Sequence, residues 1–148
     1  MIRPASLNDI DAVVDLAVES VSNNPLPVRI DKGAMRDTAK EAASSRAHFL
    51  WVAEVDGEIV GAFGAMSHPS FWHERQVCSV MLYYTRVPGE GVSLIREFAR
   101  WVKGRPAIKV AVMELEPEGD PRLIKFLERV GFSRQSMNCT YVRGMTDV

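Results

Sequence analysis

The stretch Val77-Cys78-Ser79-Val80-Met81-Leu82-Tyr83-Tyr84 runs through Arg86-Val87-Pro88-Gly89-Glu90-Gly91 into Val92-Ser93-Leu94-Ile95-Arg96-Glu97-Phe98-Ala99-Arg100-Trp101-Val102. Its first part is rich in β-branched, aromatic and aliphatic residues and reads as a strand. Pro88, Gly89 and Gly91 break the run. Leu94, Ile95, Phe98, Trp101 and Val102 then fall on one helical face. The segment is therefore strand, glycine turn, helix. Several N–H groups at a helix start lack intrahelical partners, and the helix dipole favours negative charge there. Glycines let an anion reach the backbone. The turn is thus a candidate phosphate site, the bland alternative being an ordinary strand-to-helix connection.

Upstream of this segment, Ile2 to Ala5 reads as a short strand. Ser6 with Asp9 makes a capping box, and Ile10, Val13, Val14, Ala17 and Val21 give the helix behind it an apolar stripe. Asn23-Asn24-Pro25-Leu26-Pro27 forms a loop. Asp31 caps a second helix running to about Ser44. Phe49 to Val55 and Glu58 to Met66 are strands joined by the hairpin signal Asp56-Gly57. His68 to His73 reads as a loop rich in aromatics, either packing over a hairpin end or rimming a pocket.

Downstream, Gly104-Arg105-Pro106 stops the helix and Ala107 to Leu115 is a buried strand. Glu116 to Gly119 is a polar loop. Asp120-Pro121 starts another helix, with Leu123, Ile124, Leu127 and Val130 inward and Gly131 closing it. Ser133 to Arg143 reads as a last extended region, clearest as a strand at Thr140-Tyr141-Val142.

Composition bounds the class. A chain of 148 residues with 47% hydrophobic and 25% charged residues is expected to form a single globular domain, residues 1–148. A net charge of −1 gives no footprint for nucleic acid or an anionic membrane. No signal peptide and no membrane-spanning run is read, so the expected location is cytoplasmic. The two cysteines, Cys78 and Cys139, have neither disulfide-framework nor metal spacing and are expected as buried small residues in strands. No metal site is expected.

The turn Arg86-Val87-Pro88-Gly89-Glu90-Gly91 resembles the acyl-CoA pyrophosphate loop of the GNAT superfamily of N-acetyltransferases. The element order β, α, α, β, β, β, α, β, α, β is similar to that family's over nearly the whole chain. The helix Asp120-Pro121-Arg122-Leu123-Ile124-Lys125-Phe126-Leu127-Glu128-Arg129-Val130-Gly131-Phe132 adds a second match, at Phe126, Glu128, Gly131 and Phe132. The resemblance implies an α/β (α+β) fold with a mixed, mostly antiparallel sheet of six to seven strands and about four helices.

It also implies acetyl-CoA as co-substrate and a small-molecule or peptide amine as acceptor. A homodimer is compatible with it. Arg86, Val87, Gly89, Glu90, Gly91, Val92 and Ser93 would take the pyrophosphate. The backbone of Leu82, Tyr83 and Tyr84, facing Val112 to Glu114 across a gap, would take the pantetheine arm and supply an oxyanion donor. The second helix would form part of the acceptor wall.

Acetyl transfer to an amine needs a base, because an alkylamine with a pKa near ~10.4 is mostly charged at neutral pH. Glu74 is the first candidate and His73 the second, with His68, Glu114 and Glu116 behind them. Taken singly, each reads more readily as a solvated strand-end charge. Three positions depart from the family pattern. Glu90 places an acid beside the phosphates, Pro88 removes an N–H, and Leu127 stands where many members carry an acidic tyrosine. Tyr84 or Tyr83 is the candidate substitute acid, with cross-strand packing as the alternative. The competing reading is a non-catalytic CoA-sensing or protein-binding module. An unrelated dinucleotide binder fits less well, for want of regular strand–helix alternation and of the acidic residue such a unit carries.

Overall fold

A computed structural model describes residues 1–23, 29–115 and 119–144. In chain order they form β1 (Ile2–Pro4), a 3-10 turn (Leu7–Asp9), α1 (Ile10–Ser22), α2 (Lys32–Ser44), β2 (Phe49–Val55), β3 (Glu58–Pro69), β4 (Gln76–Thr85), α3 (Pro88–Lys103), β5 (Ile108–Val112) and α4 (Pro121–Arg129). The strands make one sheet in the order β1-β2-β3-β4-β5. β1 to β4 run antiparallel to their neighbours, and β5 joins β4 in parallel.

Local chemistry sets the boundaries. Asp56 and Gly57 have φ of 51° and 80°, the left-handed pair that a tight hairpin requires. The Asp31 carboxylate accepts the Ala34 N–H at 3.0 Å and starts α2. Asp120 accepts the Arg122 N–H at 2.9 Å and starts α4, with Pro121 first in the helix. Gly131, at φ 108°, ends it.

The sheet separates two apolar layers. Along β2, Phe49 and Ala53 face α3 and α4, while Leu50 and Val52 face α1 and α2, the two-residue alternation of a strand. The α3 layer is aromatic: the Phe63 and Phe98 rings lie 4.6 Å apart, and Phe49 and Phe98 5.3 Å. Leu127 is buried in this layer, as its inward spacing predicts. The α1/α2 layer is built from smaller groups, including Ala39, Ala42 and Ala62.

Five expectations are corrected. The described residues hold five strands rather than six to seven. Residues 133–142 form no strand, because an alternating run settles as one only where a face is buried, and Met137 and Tyr141 are 92% and 61% exposed. Cys139 in that run is exposed, whereas Cys78 is buried. β3 continues past Met66 through His68 and Pro69, because β4 pairs with it as far as Pro69 opposite Gln76. β5 is shorter than expected and ends at Val112. Asn24 to Pro27 of the expected loop, and Glu116, lie outside the described residues. Among those described, no helix is long and apolar enough to cross a membrane, and no group of acidic, histidine or cysteine side chains is placed to hold a metal ion.

One ion pair ties the first strand to the first helix. Arg3 donates to both Asp9 carboxylate oxygens, at 2.7 and 3.0 Å, and the Ser6 N–H donates to Asp9 Oδ2 at 2.8 Å. Asp9 is 7% exposed. The Arg3 bond, foremost, holds its carboxyl below the ordinary 3.8, at about 2. A lowered folded-state pKa gives stability that is full above the unfolded value and lost as pH falls through the folded one. Asp9→Asn should therefore cost about 2 kcal/mol at pH 7. In urea melts the gap from wild type should close between about pH 4 and pH 2; a gap that does not vary with pH would refute the ion-pair account.

Candidate active site at the divergence of β4 and β5

β4 and β5 pair from Gln76 opposite Ile108 to Ser79 opposite Val112, and no residue of β5 pairs with Val80 to Thr85. On its other edge β4 stays paired with β3 as far as Gly61 opposite Thr85. Between the pairs Gly64–Leu82 and Ala65–Val80, Met81 is the extra residue of a bulge. The bulge falls just past Ser79, where pairing with β5 ends, and a bulge bends and twists its strand. The diverging strand leaves backbone on one edge open to an extended ligand, as an added strand would use it. It leads directly into the start of α3.

That helix start has no side-chain cap. The Val87 N–H is taken by Thr85 Oγ1 at 3.0 Å, and the Thr85 hydroxyl donates to the Val87 carbonyl at 2.8 Å. Pro88 is the first helical residue, where an N–H has no intrahelical partner, so its missing donor is no loss to the helix. Gly89 is open: a Cβ there would meet no heavy atom within 4 Å. Gly91 is different. A Cβ there would stand 2.4 Å from the Tyr83 hydroxyl. Gly91 is therefore required by strand-to-helix packing, a use its place in the motif does not reveal.

Tyr83 belongs to the aromatic layer, tilted on Phe63 at 5.7 Å, and burial raises its phenol above the ordinary value. Tyr84 faces the α1/α2 layer. Arg86 and Tyr84 both favour the ionised form of Glu19. Arg86 Nε donates to Glu19 at 2.8 Å, and its Nη1 lies 3.6 Å from Glu58. These contacts, Arg86 first, push the Glu19 carboxyl down. The Arg86 charge is thus already partnered by α1 and β3. Glu90 is paired with the Met1 ammonium at 3.6 Å. Leu82 is half-buried on the α1/α2 side, Val92 is exposed and Ser93 half-buried on α3.

Among the proton-transfer candidates, His73 and Glu74 lie in the exposed connection between β3 and β4. At ~3.3 Å per extended residue, Glu74 is up to ~16 Å along the chain from Ser79. Phe71 and Trp72 are 98% and 92% exposed and do not shield them. Glu114 is exposed beyond the end of β5. His68 is better placed: its Nε2 is 3.0 Å from the hydroxyl of Ser79, the last β4 residue paired with β5. The two side chains meet at the apex of the divergence. Reading His68 as a loop residue hid this. The signal was the alternation Ala62, Gly64, Met66, His68, which carries on past Met66.

A cavity of about 350 Å³ opens beside the diverging strand, between α1, α2 and the sheet. Val13, Ala17 and Val21 come from α1 and Met35 from α2, with Gly64, Met66, Met81 and Leu82 from the sheet. The lining of this cavity was not visible in the sequence beyond the expectation that α2 forms a wall.

No family model matches the sequence, and no curated protein matches it. The fold does match solved structures. A predicted acetyltransferase from Clostridium acetobutylicum, solved with acetyl-CoA, is similar at 15% identity and a TM-score of 0.72, over 95% of this chain and 94% of that one. Glucosamine-6-phosphate N-acetyltransferase from Arabidopsis thaliana is similar at 14% identity and a TM-score of 0.69, over 97% of both chains. An aminoglycoside acetyltransferase from an uncultured soil sample, in complex with sisomicin, gives 14% and 0.66, over 96% and 95%. The chain has the fold of the GNAT acetyltransferases.

The Gly91 contact gives a test of packing separate from ligand binding. Gly91→Ala should destabilise the protein by about 1–3 kcal/mol through overpacking, despite the better helix propensity of alanine. Gly89→Ala should be neutral or stabilising. In a Tyr83→Phe background the Gly91→Ala loss should shrink markedly in denaturant melts. Equal losses in both backgrounds would mean that the hydroxyl is not what Gly91 accommodates.

Proposed function

We propose that this chain is an acetyl-CoA-dependent N-acetyltransferase acting on a primary amine. The observation that supports the reading most is a single continuous path: the free edge of β4 from Val80 to Thr85 leads to the uncapped start of α3. An extended thioester arm suits the first part, and a pyrophosphate suits the N–H groups and dipole of the second. Arg86 is engaged elsewhere and the Glu90 N–H donates to the Val87 carbonyl at 3.2 Å, so the Gly89 N–H and the hydroxyl of Ser93 are the proposed phosphate contacts. Glu90, turned to Met1, does not face that site.

In the reaction the amine nitrogen attacks the thioester carbonyl. A C–N bond forms, the C–S bond breaks, the ammonium proton leaves to a base, and the thiolate takes a proton. An N–H on the open edge of β4 would donate to the carbonyl oxygen as it gains charge. His68 is the proposed base, held by Ser79 at the apex, with Glu74 and His73 as more distant alternatives. Tyr84 is the proposed acid. Leu127 is committed to the core, which supports the second reading, a CoA-binding module without catalysis.

Acetyl-CoA should raise the melting temperature of the wild type. Gly89→Asp should abolish that shift while leaving the unliganded protein stable, since the site for its side chain is open and an acid at a helix start is favourable. Release of free thiol with an amine panel separates the enzyme from the module. His68→Gln should lower turnover by about 10²–10⁴-fold and remove the acidic limb of the pH–rate profile, with acetyl-CoA affinity kept. Glu74→Gln should leave that limb in place; if it disappears with Glu74 instead, the base lies in the hairpin connection.

A further inference from the structure

We infer that the acceptor is an amine carrying a single charge on an apolar body, an alkyl or aryl group seated in the cavity between α1, α2 and the sheet. The inference rests on the acetyltransferase reading above and narrows it. At about 350 Å³ the cavity is at the small end of ligand sites, and far larger than the voids a packed core tolerates. Its lining explains the chemistry it accepts. Among the described residues, no charged side chain lines it, and Ser20 and Thr38 contribute the only side-chain hydroxyls. A second charge, or a ring of hydroxyls, would lose water there and find almost no partners. An alkyl or aryl body loses nothing and gains by leaving water.

Position joins the cavity to the reaction. Met81, the inserted residue of the bulge, also lines the cavity at its exposed rim, beside Leu82. An acceptor with its body among Val13, Ala17 and Met35 therefore has its nitrogen at the one place on β4 where the strand's far edge comes free. Small residues keep the space open. At Gly64 a Cβ would stand 3.4 Å from Leu50 Cδ1, on the floor itself.

The test has two readouts. In protein carrying ¹³C at the methionine methyls, hexan-1-amine should shift Met35, Met66 and Met81 and leave Met1 and Met137 unmoved, with or without CoA. With acetyl-CoA saturating, kcat/KM for thiol release should rise about 4-fold per methylene from propan-1-amine to hexan-1-amine. Glucosamine, and pentane-1,5-diamine, in which an ammonium replaces the terminal methyl of hexan-1-amine, should fall at least ~10-fold below hexan-1-amine, as expected for unpaired polar groups. Ala17→Phe should flatten the series and leave the acetyl-CoA melting shift intact. Ala34→Leu, at an exposed position on the cavity rim, does the same job if Ala17→Phe fails to fold. Polar amines used as well as hexan-1-amine, or methionine methyls that do not respond, would overturn the inference, while thiol release with any amine upholds the acyltransfer reading. Methyl shifts without acetyl-CoA binding would uphold the apolar amine site and overturn the acyltransfer reading.

Discussion

The pairing of β4 constrains everything around it. Its first residues are held on both edges, by β3 and by β5; from Val80 onward β3 alone, among the described residues, holds it. Backbone N–H and C=O groups need partners, and an edge that faces away from a neighbour must take them from water or a ligand. The inserted residue Met81 makes the change of direction possible without breaking the ladder to β3. The start of α3, the position of Tyr83 beneath Gly91, and the apex occupied by His68 and Ser79 all follow from where β4 goes after that bend.

The two faces of the sheet are filled in different ways. Toward α3 the filling is by large rings, with Phe49, Phe63 and Phe98 in contact and Trp101 5.5 Å from Phe49. Such a layer fixes the helix closely, and Gly91 shows how little room is left. Toward α1 and α2 the filling is by aliphatic and small side chains, and the layer thins to a cavity over Gly64. The face that would bind phosphate through α3 is rigidly packed; the face that would bind acceptor has space.

Signals carried by a few neighbouring residues were legible in the sequence. Asp31, Asp120, Asp56-Gly57 and Gly131 each act on backbone within four residues, and each sets a boundary where the sequence reading puts it. The strand, turn and helix from Val77 to Val102 were legible for the same reason. Features that depend on what lies across the sheet were not. Gly89 and Gly91 look alike in the motif, yet one is open and the other lies against Tyr83. Nothing in Val80-Met81-Leu82 marks Met81 as the inserted residue, because a bulge is defined by its partner strand. Arg86 reads as a phosphate ligand until Glu19, far off in the chain, is seen beside it. Thr140-Tyr141-Val142 has the composition of a strand but finds no buried face.

The two apolar layers have no residue in common. Substitutions in groups that share no partners tend to act independently on stability. A lineage carrying this fold can therefore drift in the small residues of α1, α2 and the sheet floor, and so change the shape of the cavity they line. The aromatic layer that holds α3 in place need not change with them. Selection can reshape that cavity on one side of the sheet while the other side is conserved.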